Sequence, residues 1–568
     1  MQGVRNRGYN LLYDALHATV YPLPTIICDP GDLMRIRIIN NIVSTTKRSN
    51  KRKRDYISNN NFTDLDVISK DNIDAFTIHF HGILQHNYNF AVNETGKTII
   101  NGLADGVPFI TQLPTLPGQN YLYEFSIDAK QAGTFFYHSH WALSAITGHG
   151  AFIVRDTTPP TDYGAFEEFP YGVTDEPFIL MLSDLWTNSD QVLLKGVTDP
   201  NNFTAVGDPS EILIDDNLKG DSVFQVEASK TYRIRVIGAT SVETIVLVQL
   251  INLIIPNYSF LPNKEVEGSF VKPVVVDSLE VAPGQRYSVL VTADQPPGDY
   301  NIYGEIRLRE ELPTSGKNAT AILRYVNSAT PPSGIPVLPE QSPPITFEML
   351  ADVEPIPTKA ADRTIVLVQR QNATITAKGG RIVRININGV VFEDFSTPIL
   401  LDLITGIRPK VIDYNALDVN GYDATRKSYP LKKNEVIDLV FQSTISSAGG
   451  CEYHPWHLHG HKFWEITHGP GLYPNGLDKT KIAKLPVTRD TTTVYADPPS
   501  ETAKEGDGCG WRLVRFVADN PGAWIVHCHI APHMLMGMMA VFEEAVEELP
   551  SFTTSALISY LDEKNNPS

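Results

Sequence analysis

The sequence predicts an all-β protein made of several sandwich or barrel domains. Three observations carry that prediction. The chain has 568 residues, and at roughly 150 residues per domain that length holds three or four cores. It contains 40 prolines and 39 glycines, which break helices and make turns. Its apolar residues alternate with polar ones in short runs, and helix-long periodic stretches are few.

The alternation begins at residues 33–40 and returns at 121–127, 150–154, 232–236 and 286–292. Asp156-Thr-Thr-Pro-Pro160 reads as a boundary, and residues 328–345, with six prolines, read as a linker. The resulting segments, 1–157, 158–327 and 346–568, are each of a size for a sandwich or barrel, the last with long loops. A helix is expected only near the end, at residues 554–561.

Composition narrows the function. Lys and Arg number 47 against 65 Asp and Glu, a formal net charge of −18. So acidic a chain is a poor nucleic-acid binder. One basic run, residues 47–54, sits in a polar stretch and reads as an exposed loop. No stretch reads as a membrane span; the most apolar, residues 245–255, is short and contains Gln249 and Asn252. The opening Met1-Gln-Gly-Val-Arg lacks the apolar core of a signal peptide, so the expectation is an intracellular chain or one written from after a removed signal. Sequons at Asn61, Asn93, Asn202, Asn257, Asn318 and Asn372 favour the second, a secreted, extracellular or cell-wall glycoprotein. Of four cysteines, Cys528 lies between two histidines, leaving at most one disulfide among the other three. Cys451 and Cys509, in one segment and flanking histidine-bearing strands, are the expected pair, with Cys28 a reduced thiol in a β-strand.

The histidines carry the functional argument. Eleven of fifteen fall in four clusters: Ile78-His79-Phe80-His81-Gly82, Tyr137-His138-Ser139-His140-Trp141, His454-Pro-Trp-His457-Leu-His459-Gly-His461 and His527-Cys528-His529-Ile-Ala-Pro-His533. Strand side chains alternate between faces. His79 and His81 therefore project together, as do His138 and His140, His457 and His459, and His527 and His529. Such pairs suit a metal that wants several neutral nitrogens held in place. Cys528 points the other way from His527 and His529, so one strand can serve two metal sites. His454 precedes His457 by an odd offset and should also face away. His454, Cys528 and His533 then form the His₂Cys set of a blue-copper electron-transfer site, with Met538 as the axial candidate among Met534, Met536, Met538 and Met539. The plainer readings are weaker. One His-x-His pair is more often structural than ligating, but four clusters around a cysteine are not one pair. Structural zinc wants paired cysteines, which are missing. His461 and His468 read as hydrogen-bonding or core residues, and His17, His86 and His149 have no assigned role.

These residues resemble the multicopper oxidases, whose four copper-binding signatures the clusters match in order and spacing. The wording is closest to ascorbate oxidases and to fungal laccases of pigment pathways, notably in Gly133-Thr-Phe-Phe-Tyr-His-Ser-His140, Asp519-Asn-Pro-Gly-Ala-Trp524 and His533-Met-Leu-Met-Gly-Met538. The resemblance implies three cupredoxin-like Greek-key β-barrels and four coppers per chain. His454, Cys528, His533 and Met538 would hold the type 1 copper, and His79 and His457 the type 2 copper. His81, His138, His140, His459, His527 and His529 would hold the type 3 pair. Asp105 matches a family carboxylate near the trinuclear cluster, where reducing O₂ to water consumes four protons. Glu211 falls near the position of a laccase substrate-pocket acid.

The resemblance also implies the reaction. A small organic reductant gives up single electrons beside His533, and these pass through Cys528 to His527 and His529 for the four-electron reduction of O₂. Phenolic pigment precursors are the first expectation, ascorbate and Fe²⁺ the alternatives. A copper-binding electron carrier without turnover is the rival from another class, and a monomer is expected. There are departures too. Leu113 replaces a cysteine that many members pair, Ala531 stands where many have an acid, and an insertion at about 44–69 precedes the first signature.

Overall fold

Strands form where the alternation placed them, because one pleat face at a time can be buried. The structure, a computed structural model, describes residues 23–42, 74–86, 100–156, 167–168, 177–217, 222–248, 263–272, 278–307, 317–327, 359–377, 379–474, 486–497, 504–557 and 561. The run at 33–40 is the strand Leu33–Ile39, whose Met34, Ile36 and Ile38 point inward. The other four runs fall in Asn120–Ser126, His149–Val154, Thr231–Gly238 and Arg286–Thr292. The basic run, the 44–69 insertion, the proline-rich 328–345 stretch, His17 and the sequons at Asn61, Asn93 and Asn257 lie outside the described residues.

The described strands make three pairs of sheets, in order along the chain. The first pair is a four-stranded sheet, Leu23–Cys28, His149–Val154, Gly133–Ser139 and Ile78–His81, with the two-stranded sheet of Leu33–Ile39 and Asn120–Ser126. Phe80, Phe125 and Phe152 fill its interior. The second is a six- and a five-stranded sheet from strands between residues 179 and 325, closed over Ile234, Leu247 and Tyr325. The third is again six- and five-stranded, from strands between 363 and 544, packed on Phe441, Trp456 and Phe516. The fold is all-β, as expected.

Helices are the correction. Besides residues 554–557, the helices Asp190–Thr198, Ile399–Thr405 and Ala531–Leu535 form. The first two bury narrow apolar stripes, Leu193, Leu194 and Val197 in one and Ile399, Leu400, Leu403 and Ile404 in the other. Both are only two turns long, too short for the periodic pattern to stand out. The third begins at Ala531-Pro532, a proline pre-set for a first turn.

Buried charges join the three parts. Arg233 reaches Asp156, Glu168 and Glu265, and Glu265 accepts the Thr134 N–H at 2.7 Å. Arg489 pairs with Glu267 at 2.8 Å, while Glu267 also accepts the N–H groups of Asp490 (2.7 Å) and Thr491 (2.9 Å). Removing one partner of such a pair strands a buried charge, a loss of ~3–5 kcal/mol. Cys451 and Cys509 are disulfide-bonded with Cα atoms 5.6 Å apart, as expected, and Cys28 is a buried thiol.

His461 is a core residue with a charge. Its ring N–H donates to the His459 carbonyl (2.9 Å), and its Nε2 lies 2.9 Å from Glu544. Burial alone would lower its pKa, but the Glu544 carboxylate raises it from 6.5 to about 9. A raised histidine pKa adds stability that is complete below the unfolded value and is lost as pH climbs through the folded one. That contribution, roughly 3 kcal/mol at most, should be present at pH 6 and fade by pH 10. Melting curves of wild type and His461→Gln should converge over that span. A gap that stays constant with pH would show His461 to be neutral.

Candidate metal centre

The strand register explains why the histidines meet. Ile78–His81 runs antiparallel to Gly133–Ser139 with His79 opposite His138. His454–Leu458 runs antiparallel to Gly522–Cys528, with His457 opposite His527 and Trp456 opposite Cys528. Directly opposed residues share a face. His457 and His527 therefore point to one side of that sheet, and Trp456 and Cys528 to the other.

Eight imidazoles from the two ends of the chain converge on one buried space. Their possible ligand atoms group as His79, His81 and His457; as His81, His138 and His529; and as His140, His459 and His527, each set within 4.8 Å. Six rings have one nitrogen fixed as a donor by a protein acceptor. His79 Nδ1–H donates to the Asp105 carbonyl (2.7 Å), and His459 Nδ1–H to the Asp105 carboxylate (3.0 Å). His457 Nδ1–H donates to the Asp490 carbonyl (2.9 Å), and His81 Nε2–H to the Asp490 carboxylate (3.1 Å). His138 and His527 donate to the carbonyls of Ser139 (3.0 Å) and Cys528 (2.9 Å).

Each anchored ring then turns a bare lone pair inward. His79 Nε2 and His457 Nε2 face each other at 3.4 Å, and His459 Nε2 and His527 Nε2 at 3.2 Å. With both outer nitrogens protonated, neither inner nitrogen has a proton to share, so these are repulsive contacts without a cation. Two metal–imidazole bonds of roughly 2.0–2.1 Å at a tetrahedral angle place their nitrogens about 3.3 Å apart. His138 Nε2 and His140 Nε2 are buried with no hydrogen-bond partner. Burial first, and neighbouring imidazoles second, hold His81, His138, His140, His459, His527 and His529 well below the ordinary histidine pKa. Neutral imidazole is the form that binds metal. The donor set fits several metal ions.

On the opposite side of the Gly522–Cys528 strand, Cys528 Sγ lies 3.7 Å from His454 Nδ1 and 3.8 Å from His533 Nδ1. Burial pushes the Cys528 thiol well above its ordinary value, and a bound metal would deprotonate it. The short helix Ala531–Leu535 folds His533 back toward the sulfur. Met538 is fully buried in the same core as Cys528, and its carbonyl accepts the Cys528 N–H at 3.2 Å. Met534 and Met536 line cavities, and Met539 opens the strand Met539–Glu544.

Asp105 caps the short helix Asn101–Ala104, and its carboxylate and carbonyl touch rings from both ends of the chain. Gly106 follows at φ +81°, where any Cβ would lie 1.8 Å from the Ile78 carbonyl oxygen. Asp490 performs the matching task and was missed in the sequence. Its one legible sign is an Arg–Asp dipeptide entering the buried run Thr491-Thr492-Thr493. His86 and His149, given no role, pair with Asp128 (3.0 Å) and Asp216 (3.1 Å).

A cavity of about 410 Å³ opens beside His533. Glu211, the first residue of the strand Glu211–Ile214, does not line it; Asp208, three residues earlier, does. The other carboxylate is Glu452, 3.5 Å from His533 Nε2. The turn before that strand, rather than the strand itself, faces the cavity.

Known proteins share this organisation. Family models described as multicopper oxidase match residues 56–159, 176–328 and 392–548. Laccase-like multicopper oxidase 1 of Thermothelomyces thermophilus is 30% identical over 544 residues, 82% of this chain and 78% of the relative. The L-ascorbate oxidase of Cucurbita maxima is 30% identical over 540 residues, 87% and 85% respectively. Among solved structures, Fet3p, described as a multicopper oxidase that functions in iron import, superposes with a TM-score of 0.69 at 21% identity, covering 99% of this chain and 95% of that one. The laccase from Botrytis aclada gives 0.67 at 20% identity, covering 96% and 86%. Three consecutive family matches and two-domain convergence of the histidines lead to one conclusion: this chain is a member of the multicopper oxidase family, copper oxidoreductases that act with oxygen, folded as cupredoxin-like β-barrels.

Proposed function

We propose that the chain is a laccase-like oxidase that couples one-electron oxidation of phenolic or similar organic reductants to the four-electron reduction of O₂ to water. The observation that carries this reading is the pairing of two donor sets on opposite faces of one strand, with Cys528 on one side and His527 and His529 on the other. Copper cycling between two oxidation states at a thiolate-and-imidazole site would supply single-electron transfer, and copper at the imidazole cluster would supply O₂ reduction.

The donor groups support the following assignment, with the division among copper types taken from the family resemblance. His454, Cys528, His533 and Met538 would hold the mononuclear copper. His79 and His457 would hold the type 2 copper, and the triples His81, His138, His529 and His140, His459, His527 the type 3 pair. Asp105 holds His79 and His459 in orientation and is placed to pass protons into the cluster. The cavity beside His533 has room for an aromatic ring, and Asp208 and Glu452 offer acceptors for a phenolic or anilinic proton. The same two carboxylates favour Fe²⁺ as the second reading over ascorbate, which is an anion. An electron carrier would need only the Cys528 site, so the eight-histidine cluster weighs against it. The Cys451–Cys509 disulfide and the exposed sequon residues Asn202 and Asn372 support a secreted glycoprotein.

Copper analysis and a visible spectrum, followed by oxygen uptake with phenols, ascorbate and Fe²⁺, test the reading. Four coppers per chain are expected. Cys528→Ser should bind three, lose the blue thiolate absorption and lose reductant turnover. Turnover that survives in Cys528→Ser would refute the electron path. Met538→Leu should stay blue and show a raised reduction potential, because a thioether that stabilises the oxidised metal is gone. Ile530, in the same apolar core as Cys528, and Pro532, beside His533, make an apolar surround that pulls the potential the same way. An unchanged potential in redox titration would remove Met538 from the axial position.

A further inference from the structure

The middle part of the chain supplies none of the clustered histidines, yet one of its turns reaches them. Gly284 lies against the cluster at φ +85°. A Cβ there would stand 2.9 Å from His529 Cδ2 and 3.0 Å from His81 Cε1. Two residues on, the fully buried Arg286 guanidinium meets all three parts of the chain. Its Nε–H donates to the Thr134 carbonyl (3.2 Å), and Nη1–H to the Gly284 carbonyl (2.9 Å). Its remaining bonds clamp Asp490 bidentately, at 2.6 and 2.5 Å.

Asp490 is the residue that orients two ligand rings. Its Oδ1 accepts the His81 Nε2–H, which leaves His81 Nδ1 facing His529 Nε2 at 3.2 Å. Its carbonyl accepts the His457 Nδ1–H. An aspartate side chain alone can rotate about two bonds, and a rotated carboxylate would leave His81 Nε2 only the Thr491 hydroxyl (3.1 Å), which donates as readily as it accepts and so does not fix which nitrogen turns inward. A bidentate guanidinium removes that freedom.

We propose that Arg286 is a positioning residue for the imidazole cluster. Through Asp490 it fixes which nitrogen His81 presents, and with Gly284 it makes the middle part of the chain the closing wall of the site. The proposal rests on the copper reading above. It also gives the ligand-free middle barrel a chemical task, that of holding the type 3 triple His81, His138, His529 in register across an interface.

Arg286→Lys tests it, since lysine keeps the charge and loses the planar fork. Loss of an outer partner of this kind weakens metal affinity by ~10–100-fold. In competition with a copper chelator, the variant should give up cluster copper at ~10–100-fold lower chelator concentration than wild type. The blue absorption of the Cys528 site should match wild type, and the melting temperature before loading should fall but leave a single cooperative transition, since lysine keeps the buried charge while losing hydrogen bonds. The remaining coppers should show an electron paramagnetic resonance signal from the pair, which is silent when both of its ions are held and coupled. Gly284→Ala should also give up cluster copper early and keep the blue absorption, through direct pressure of its Cβ on His81 and His529, with a lower melting temperature because alanine is strained at φ +85°. Cluster copper retained at the wild-type chelator concentration in both variants overturns the proposal. So does a parallel loss of blue absorption and cluster copper, which reports a general loss of fold. A wild-type chain that binds fewer than four coppers overturns the copper reading itself, and the proposal with it.

Discussion

The constraint on which the site depends is the repulsion among buried lone pairs. Imidazoles crowded into one buried space are unfavourable by themselves: burial takes them out of water, and inner nitrogens that face each other are both acceptors once the outer ones carry the protons. Two features make the arrangement possible. Every outer nitrogen held by Asp105, Asp490 or a main-chain carbonyl recovers one hydrogen bond, and a cation among the inner nitrogens turns repulsion into ligation. The carboxylates also bring negative charge close to where several positive ions would gather. Asp105 and Asp490 therefore do the same job from two directions, each binding one ring by its carbonyl and another by its side chain.

Much of this was legible in the sequence because it follows from a two-residue period. Histidines two apart must share a strand face, and Cys528 between two of them must take the other face. The register of His457 opposite His527 adds the partner strand, which alternation alone cannot name. The parts that could not be read depend on contacts between residues far apart. Asp490 and Arg286 are ordinary charged residues in ordinary strands until the third sheet pair meets the second. Glu211 was the nearer acid by position in the chain, but the turn before its strand places Asp208 at the cavity instead. Short helices such as Ile399–Thr405 were invisible because two turns give too few repeats to separate a period of 3.6 from chance.

Beside apolar clusters such as Phe136, Ile153, Met181 and Ile237, buried ion pairs through Arg233, Glu265, Glu267, Arg286 and Arg489 join the three sheet pairs. Charged interfaces of this kind add little net stability, since desolvation offsets attraction. They are demanding about geometry, however, because a small displacement leaves a charge unpaired. Apolar burial is non-directional and so specifies position less sharply than a paired charge does, and rings that must converge at one point need the sharper constraint. The ion pairs thus convert a loose requirement, that the barrels touch, into a strict one about where they touch.

The separation of the ligands along the chain has a consequence for biosynthesis. His81 and His529 face each other across 448 residues of sequence. At ribosomal speeds of ~5–20 residues per second, the first ring waits roughly 20–90 s for its partner to be made. No partly synthesised chain can hold the full cluster, so a nascent chain presents only isolated histidine pairs, which bind metals weakly and without selectivity. Metal loading is therefore a late event, after the last barrel has closed on the first, and the cell must supply copper to a finished protein rather than to one emerging from the ribosome.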